Sequence, residues 1–188
     1  MIELMVVIAI VGVLIGLLLP ALSRSIGAGK RVVCSSNLRS LHTALTMYMD
    51  AGDGFLPFAE FPADFGRGFV EPYDELARFL DAPWPKQGDD GFERLDPWAC
   101  PSDDAVARDA GTSYMYVPYG IMAYDPSDPG NRANATRLFF DDGQRVFGVG
   151  GIDPILFQDT LPFHGEGQPG KNGVRPDGSV VHLKKIVF

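Results

Sequence analysis

Residues 1–22 read MIELMVVIAIVGVLIGLLLPAL, and this stretch decides the fold. Between Leu4 and Leu22 it contains no charged and no hydrogen-bonding side chain. As an α-helix these 19 residues span about 28 Å, which is close to the hydrocarbon thickness of about 30 Å in a bilayer. The stretch therefore predicts a helix that can cross a membrane.

Three kinds of segment share this apolar character: a cleaved secretory signal, a plain membrane anchor and an assembly helix. A signal peptide has a basic region ahead of a shorter apolar core. Here nothing basic precedes the run, and Leu17–Pro20 extends it. A plain anchor leaves Glu3 unexplained, because a carboxylate at the edge of a membrane helix is costly without a partner. The third interpretation, an assembly helix, explains Glu3 and rests on a resemblance to a known family.

The stretch Ile2–Leu14 resembles the N-terminus of mature type IV pilins and type II secretion pseudopilins, which usually begin Phe-Thr-Leu-Ile-Glu before an apolar run. Pro20 falls where that family has a helix-kinking proline. The resemblance implies that Glu3 pairs with the N-terminal amine of a neighbouring subunit, because in an apolar filament core each charge needs the other. Gly12 and Gly16 form a Gly-x-x-x-Gly strip that permits close helix approach.

One departure from the family concerns the first residue. Met1 stands where the family has leucine, and the preceding Phe-Thr pair and basic leader are missing. We therefore expect the numbering to begin at an internal codon, with a Lys/Arg-containing leader ending in Gly encoded upstream. The basic residues that follow the apolar run would by themselves place the C-terminus in the cytoplasm, and such a leader restores the opposite orientation. They are Arg24, Lys30, Arg31 and Arg39.

Beyond Leu22 the apolar residues recur at spacings of three and four, which is typical of an amphipathic helix. They are Val33, Cys34, Leu38, Leu41, Leu45 and Tyr48. We predict one long helix over residues 2–50, with bends at Pro20 and at Gly27 and Gly29. Two helices joined at residues 23–29 are the alternative. The stretch Asp50–Gly54 is a stop signal that ends the helix.

The hydrophobic pattern divides the chain into three segments. Residues 1–22 form the transmembrane and assembly helix, residues 23–51 form its amphipathic continuation, and residues 52–188 form a globular domain.

The globular part predicts an antiparallel sheet. Tyr73–Leu80 is expected to form a short helix, and Lys86–Gly91 a loop. Thr136–Phe140 and Arg145–Val149 are expected to be strands of one hairpin, and a turn at Pro176–Ser179 leads into a strand over Val180–Phe188. The fold class is therefore α+β, a long N-terminal helix packed on a small antiparallel sheet, as in pilins.

Several short motifs resemble a large pilin-like family with a Cys-x-x-Asn-Leu segment and a C-terminal His…Asp-Gly motif associated with processing. In this chain the matching residues are Cys34, Asn37, Cys100, His164, Asp177 and Gly178. The His164-to-Asp177 spacing is longer than the usual one in that family. Cys34 and Cys100 either form a disulfide or remain separate thiols, because 65 intervening residues say nothing about geometry.

Composition and motifs narrow the function classes. The net charge of −8 disfavours general binding to nucleic acid, which needs clustered basic residues. Zinc-ligand spacings and the Gly-x-Ser-x-Gly pattern are absent, so we expect no enzyme. His42 and His182 are interpreted as surface residues. Calcium needs six to eight oxygen ligands, and four loop carboxylates are weak candidates for such a site. We interpret these carboxylates as turn residues. We therefore expect no cofactor. The four carboxylates are Asp125, Asp128, Asp141 and Asp142.

The leading hypothesis is a structural pilin-like subunit that assembles through its N-terminal helix into a type IV pilus or a type II secretion pseudopilus. The resemblance implies a single-pass inner-membrane protein with a periplasmic domain, which a prepilin peptidase and assembly machinery convert to a filament of identical or related subunits. The alternative is a membrane-anchored extracytoplasmic module that binds a glycan, a protein or calcium. In that case Trp84, Trp98, Tyr116 and Tyr119 could supply contacts.

Overall fold

The computed structural model describes residues 2–59, 72–103, 105–118, 130–140, 154–161 and 170–183. It has four α-helices, which are α1 (Ile2–Ala51), α2 (Tyr73–Leu76), α3 (Val106–Ala110) and α4 (Gly130–Phe140), within these ranges. A 3₁₀ turn at Ala77–Phe79 extends α2. The described strands are β1 (Gln87–Gly88), β2 (Gly91–Phe92), β3 (Tyr114–Tyr116), β4 (Phe157–Asp159), β5 (Lys171–Val174) and β6 (Val180–Leu183).

The long helix α1 is continuous over its 50 residues and is about 75 Å long. Pro20 lies inside it, and the helix passes through Pro20, Gly27 and Gly29 without an interruption. The prediction of one long helix is therefore confirmed, and the alternative of two helices joined at residues 23–29 is wrong. The predicted bends at Pro20, Gly27 and Gly29 stay a prediction. The helix ends at the predicted stop signal, where Gly54 adopts a φ of 79°.

The second half of α1 lies across a four-stranded antiparallel sheet, in the order β3-β4-β5-β6. The predicted apolar stripe is confirmed from its second member onward, since Cys34, Leu38, Leu41 and Leu45 are fully buried, whereas Val33 remains 38% exposed. From the sheet, large side chains pack against this stripe and complete the core. They are Tyr114, Tyr116, Phe157 and Val174. The α+β class and the packing of a long helix on a small antiparallel sheet are confirmed.

The C-terminal hairpin is confirmed over the described residues, and residues 184–188 of the predicted last strand lie outside them. β5 and β6 pair antiparallel from Lys171↔Leu183 to Val174↔Val180, and the turn between them contains the predicted Pro176–Ser179. Gly178 has a φ of 78°, a conformation that favours glycine, and its N–H donates to the Arg175 carbonyl oxygen at 2.9 Å. The Asp177 carboxylate accepts the Ser179 N–H at 2.8 Å, so the turn is held from both sides.

Two local predictions are wrong. Thr136–Phe140 belongs to helix α4, because Ala135 and Phe139, spaced by four residues, are the side chains that this segment buries. Lys86–Gly91 is not wholly a loop, since β1 and β2 pair there as a short hairpin. The Tyr73–Leu80 helix is present as α2 and its 3₁₀ extension. The predicted strand at Arg145–Val149 lies outside the described residues.

Candidate functional site

The first half of α1 projects from the domain with its apolar side chains in the open. Every described side chain from Glu3 to Lys30 is exposed, and Leu4 and Leu17 are each 70% exposed. Leaving one large apolar side chain in water costs about 1.5–3 kcal/mol relative to burial, so a run of this length requires lipid or protein around it. By length and composition the helix could cross a membrane, as a signal sequence also could.

The predicted assembly residues all lie on this projecting half. Gly12, Gly16 and Pro20 are spaced by four and therefore share one helix face. A Cβ atom placed on either glycine would meet nothing within 4 Å, so the face is open to a neighbour. Glu3 lies in the first turn and forms no hydrogen bond or ion pair with any residue that the structure describes. The structure thus places all four residues on an open surface.

The joint between helix and domain is covalent. Cys34 forms a disulfide with Cys100, and both residues are fully buried. One turn further along α1, the Asn37 side-chain amide donates to the Ala99 carbonyl oxygen at 3.0 Å and to the Asp96 carboxylate at 3.3 Å. The Cys-x-x-Asn spacing therefore places both side chains on the face of α1 that meets the loop before Cys100. This geometry gives the motif a structural role.

Behind Cys100, a buried carboxylate organises the loop and helix α3. Asp103 is 1% exposed and accepts the backbone N–H groups of residues 105–107 at 2.7–3.0 Å. The Ser113 hydroxyl donates to Asp103 at 2.6 Å and accepts the Cys100 N–H at 2.8 Å. Residues ten positions apart in the sequence therefore meet beside the disulfide. The sequence carries no pattern that predicts the bond between Ser113 and Asp103.

The C-terminal motif also contacts α1. The His42 Nε2 atom lies 2.9 Å from the Pro176 carbonyl oxygen, and a Cβ at Gly178 would lie 3.2 Å from the His42 ring. His42 is half-buried, so the expectation of a simple surface histidine misses this contact. His182 is exposed as expected, with Nδ1 at 2.5 Å from the Asn172 amide oxygen. His164 lies outside the described residues.

A third connection, at the C-terminal end of α1, was not predicted. The Arg132 side chain on α4 pairs with Asp53 at 3.0 Å and donates to the Leu56 carbonyl oxygen at 2.8 Å. One turn later, the Thr136 hydroxyl accepts the Leu56 N–H at 2.8 Å. Assigning residues 136–140 to a strand concealed this pair, whose spacing of four is a helical signal.

A cavity of about 420 Å³ lies beside this third connection. Tyr48, Asp53, Glu75 and Arg132 line it, and burial, together with the nearby Glu75 carboxylate, raises the pKa of Tyr48. Its Arg132 guanidinium already bonds to Asp53 and to the chain that follows α1. The cavity is thus built around a structural ion pair.

The aromatic residues considered for a binding surface are largely internal. Trp98 is fully buried and its indole N–H donates to the Pro83 carbonyl oxygen at 2.9 Å, while Tyr116 is 2% exposed. Trp84 is half-buried and stacks on Tyr73, with 5.4 Å between ring centroids. Tyr119 lies outside the described residues. These rings therefore pack the domain against the joint.

The four loop carboxylates that are weak candidates for calcium lie outside the described residues; they are Asp125, Asp128, Asp141 and Asp142. In the part of the chain that the structure describes, no group of three or more His, Cys, Asp or Glu side chains could hold a metal ion. The described geometry provides an exposed apolar rod and a rigid, disulfide-linked joint to the domain. No family model, no curated protein and no solved structure matches the chain.

Proposed function

We propose that this chain is a membrane-inserted subunit that assembles with copies of itself or with related chains through α1, in the manner of type IV pilins and type II secretion pseudopilins. The observation that carries the proposal is the continuity of one 50-residue helix. Its first half exposes apolar side chains, and its second half is the core of the domain. A contact made by the first half is thus transmitted to the domain without a flexible joint.

The apolar half has two environments in which it can be stable. Lipid covers it before assembly, and the same half of neighbouring copies covers it afterwards. Membrane helices associate through close packing of small residues, and the open face at Gly12 and Gly16 supplies such a surface. Glu3 would pair with an amine of a neighbouring chain, because an unpaired carboxylate is costly in an apolar interior.

A tethered binding module is the competing function. A tether needs only to span the bilayer, and a flexible linker after Leu22 would serve it best. Instead α1 continues without a break and is fixed to the domain at Cys34, at Asn37 and at His42. This rigidity favours assembly. The proposed location is the inner membrane with the domain on the periplasmic side, followed by a filament; a prepilin peptidase and inner-membrane assembly machinery are the proposed partners.

The Glu3→Ala variant tests the proposal. We expect it to insert into membranes as the wild type does, and to form about tenfold fewer cross-linked oligomers, since a charge-assisted contact contributes about 1.5–3 kcal/mol. Glu3→Asp, which keeps the charge, is the matched control and should retain most assembly. The measurement is chemical cross-linking of the full chain in membranes, followed by electrophoresis.

Replacing residues 1–22 with an unrelated membrane helix separates the two functions. An assembly subunit loses oligomers in this chimera, whereas a tethered module is unaffected. Wild-type oligomer yield in both the chimera and Glu3→Ala would refute assembly through α1.

A further inference from the structure

Charge is divided unequally along the chain. Residues 1–49 carry four basic residues and one acidic residue, whereas residues 50–188 carry 12 basic and 23 acidic residues. The helix is therefore net positive and the domain strongly net negative. Opposite potentials on two surfaces of one chain favour contact between copies, provided that the geometry brings the surfaces together.

The positive surface is a basic collar that we define as Arg24 and Lys30. Both side chains are exposed, and neither makes a hydrogen bond or ion pair with a residue that the structure describes. Arg24 follows the apolar run by two residues, and Lys30 precedes the disulfide residue Cys34 by four. The collar thus occupies the bare stretch of helix between the apolar run and the domain.

The negative surface is an acidic lobe that we define as residues 87–103 and 105–110. Its exposed carboxylates include those of Asp89, Asp90, Glu93 and Asp109, and they outnumber the exposed guanidinium groups of Arg94 and Arg108. The lobe contains Cys100, and it is joined to α1 at Cys34 by the disulfide and at Asn37 through Ala99. The part of the lobe around Ala99 and Cys100 therefore lies level with the turns of α1 that contain Cys34 and Asn37.

Parallel packing of the apolar halves brings these two surfaces together. Each residue advances a helix by about 1.5 Å, so a neighbour shifted by four to thirteen residues, about 6–20 Å towards the N-terminus, carries its lobe to the level of the collar. The 19-residue apolar runs of the two copies still overlap after such a shift. An unshifted neighbour would instead set collar against collar and lobe against lobe, which like charges disfavour.

We propose that the basic collar of one copy docks on the acidic lobe of an axially shifted neighbouring copy, and that this contact sets the stagger between subunits. The inference rests on the proposed function, because the collar and the lobe meet only if the apolar helices pack side by side. The contact lies at the surface, where charges are screened over about 10 Å at 0.1 M salt. It therefore selects the register of assembly, while apolar packing provides most of the affinity.

Paired charge reversals test the contact. The full chain, labelled with donor or acceptor dyes, is reconstituted in vesicles of zwitterionic phosphatidylcholine, and energy transfer reports association at low salt. We expect Arg24→Glu/Lys30→Glu and Asp90→Lys/Glu93→Lys each to weaken association about fivefold or more, because attraction becomes repulsion at two positions. Combining the four substitutions should restore association to within about twofold of the wild type.

A matched control places the same charge change elsewhere. Asp50→Lys/Asp81→Lys alters two exposed carboxylates and leaves the lobe intact. Asp50 lies about 30 Å along α1 from Lys30. This control should associate as the wild type does. A loss equal to that of Asp90→Lys/Glu93→Lys would show an effect of net charge and would overturn the specific contact.

The remaining outcomes separate the inference from the proposed function. Absence of energy transfer in the wild type defeats both. Transfer in the wild type that no reversal changes overturns only the collar–lobe contact. Failure of the combined four-substitution variant to restore association also overturns only the collar–lobe contact. If only the collar reversal weakens association, and only in vesicles that contain anionic lipid, then the collar binds lipid headgroups.

A zero-length cross-link gives a direct measurement. Carbodiimide joins an amine to a carboxylate in contact with it, so Lys30 should become linked to Asp89, Asp90 or Glu93. Mixing isotopically heavy and light chains identifies links between copies by mass. We expect heavy–light linked peptides of this kind, and finding only links within one chain would overturn the proposal.

Discussion

The carboxylate of Asp103 shows how much one buried residue can organise. It is almost fully buried, and it accepts the backbone N–H groups of residues 105–107, at the start of α3, and the hydroxyl of Ser113. A buried carboxylate is stable only when its oxygens are bonded in this way. Ser113 in turn holds the N–H of Cys100, so the position of the disulfide depends on this one side chain.

Asp103→Asn should therefore be costly despite its small change in volume. The asparagine side chain has one acceptor oxygen where aspartate has two, and its NH₂ group faces the N–H groups that Asp103 accepts. Some of these buried N–H groups therefore lose their hydrogen bond. We expect a loss of about 2–3 kcal/mol in the free energy of unfolding. Denaturant unfolding of the full chain in detergent, followed by tryptophan fluorescence, measures it. Asp109→Asn, on the exposed side of α3, should stay within about 0.5 kcal/mol of the wild type. Equal losses would contradict the role given to Asp103.

Between elements, the connection from the end of α1 to α4 depends on pH. The Phe55 N–H and the Arg132 guanidinium hold the pKa of Asp53 below its ordinary value. The folded state therefore binds fewer protons at this group than the unfolded state does. Its contribution to stability is fully present above the ordinary pKa, near 4, and is lost as the pH falls through the lower pKa of the folded state.

Asp53→Asn removes this dependence. We expect the stability of the variant to fall less steeply than that of the wild type between about pH 5 and pH 3, because one group with a lowered pKa is gone. Thermal unfolding of both proteins across this range gives the two slopes. Asp50→Asn, which removes an exposed carboxylate on the last turn of α1, should leave the slope of the wild type. Parallel curves for Asp53→Asn and the wild type would refute the assignment.

Elements with strong periodicity were the predictable ones. The stripe from Cys34 to Tyr48 and the turn at Asp177-Gly178 carry local signals, and the structure contains the helix and the hairpin that they predict. Helix α4 carries only a weak signal, because its residues with a spacing of four are few and Thr136 and Phe139 both favour strands. Its state is set by tertiary contacts, the burial of Ala135 and Phe139 and the bonds from Arg132 to the end of α1. Composition could not predict these partners, about 80 residues apart.

For the whole molecule, the disulfide joins segments separated by 66 residues. The sequence alone does not show whether Cys34 and Cys100 form a disulfide or remain two thiols, because the distance between them depends on how the loop returns to α1. Closing a loop of this length stabilises the fold mainly by restricting the unfolded chain. Asn37 and Trp98 pack next to this disulfide, which already holds the loop against α1.

Cys34→Ala should lower the free energy of unfolding by about 4 kcal/mol. Cys100→Ala and the double variant should lose similar amounts, because any of the three opens the same loop. Chemical denaturation in detergent, monitored by the fluorescence of Trp84 and Trp98, measures the losses. A Cys34→Ala protein as stable as the wild type would show that the bond does not constrain the domain.

The position of that bond has a mechanical consequence. If the chain assembles as proposed, a subunit drawn out of the bilayer is loaded at one end, along the axis of its helix. Cys34 is the first buried residue of α1 that such a pull reaches, so the load enters the domain at a covalent bond. The proposed function therefore predicts that the domain is lifted as a unit and that the core between α1 and the sheet is protected from unfolding under load.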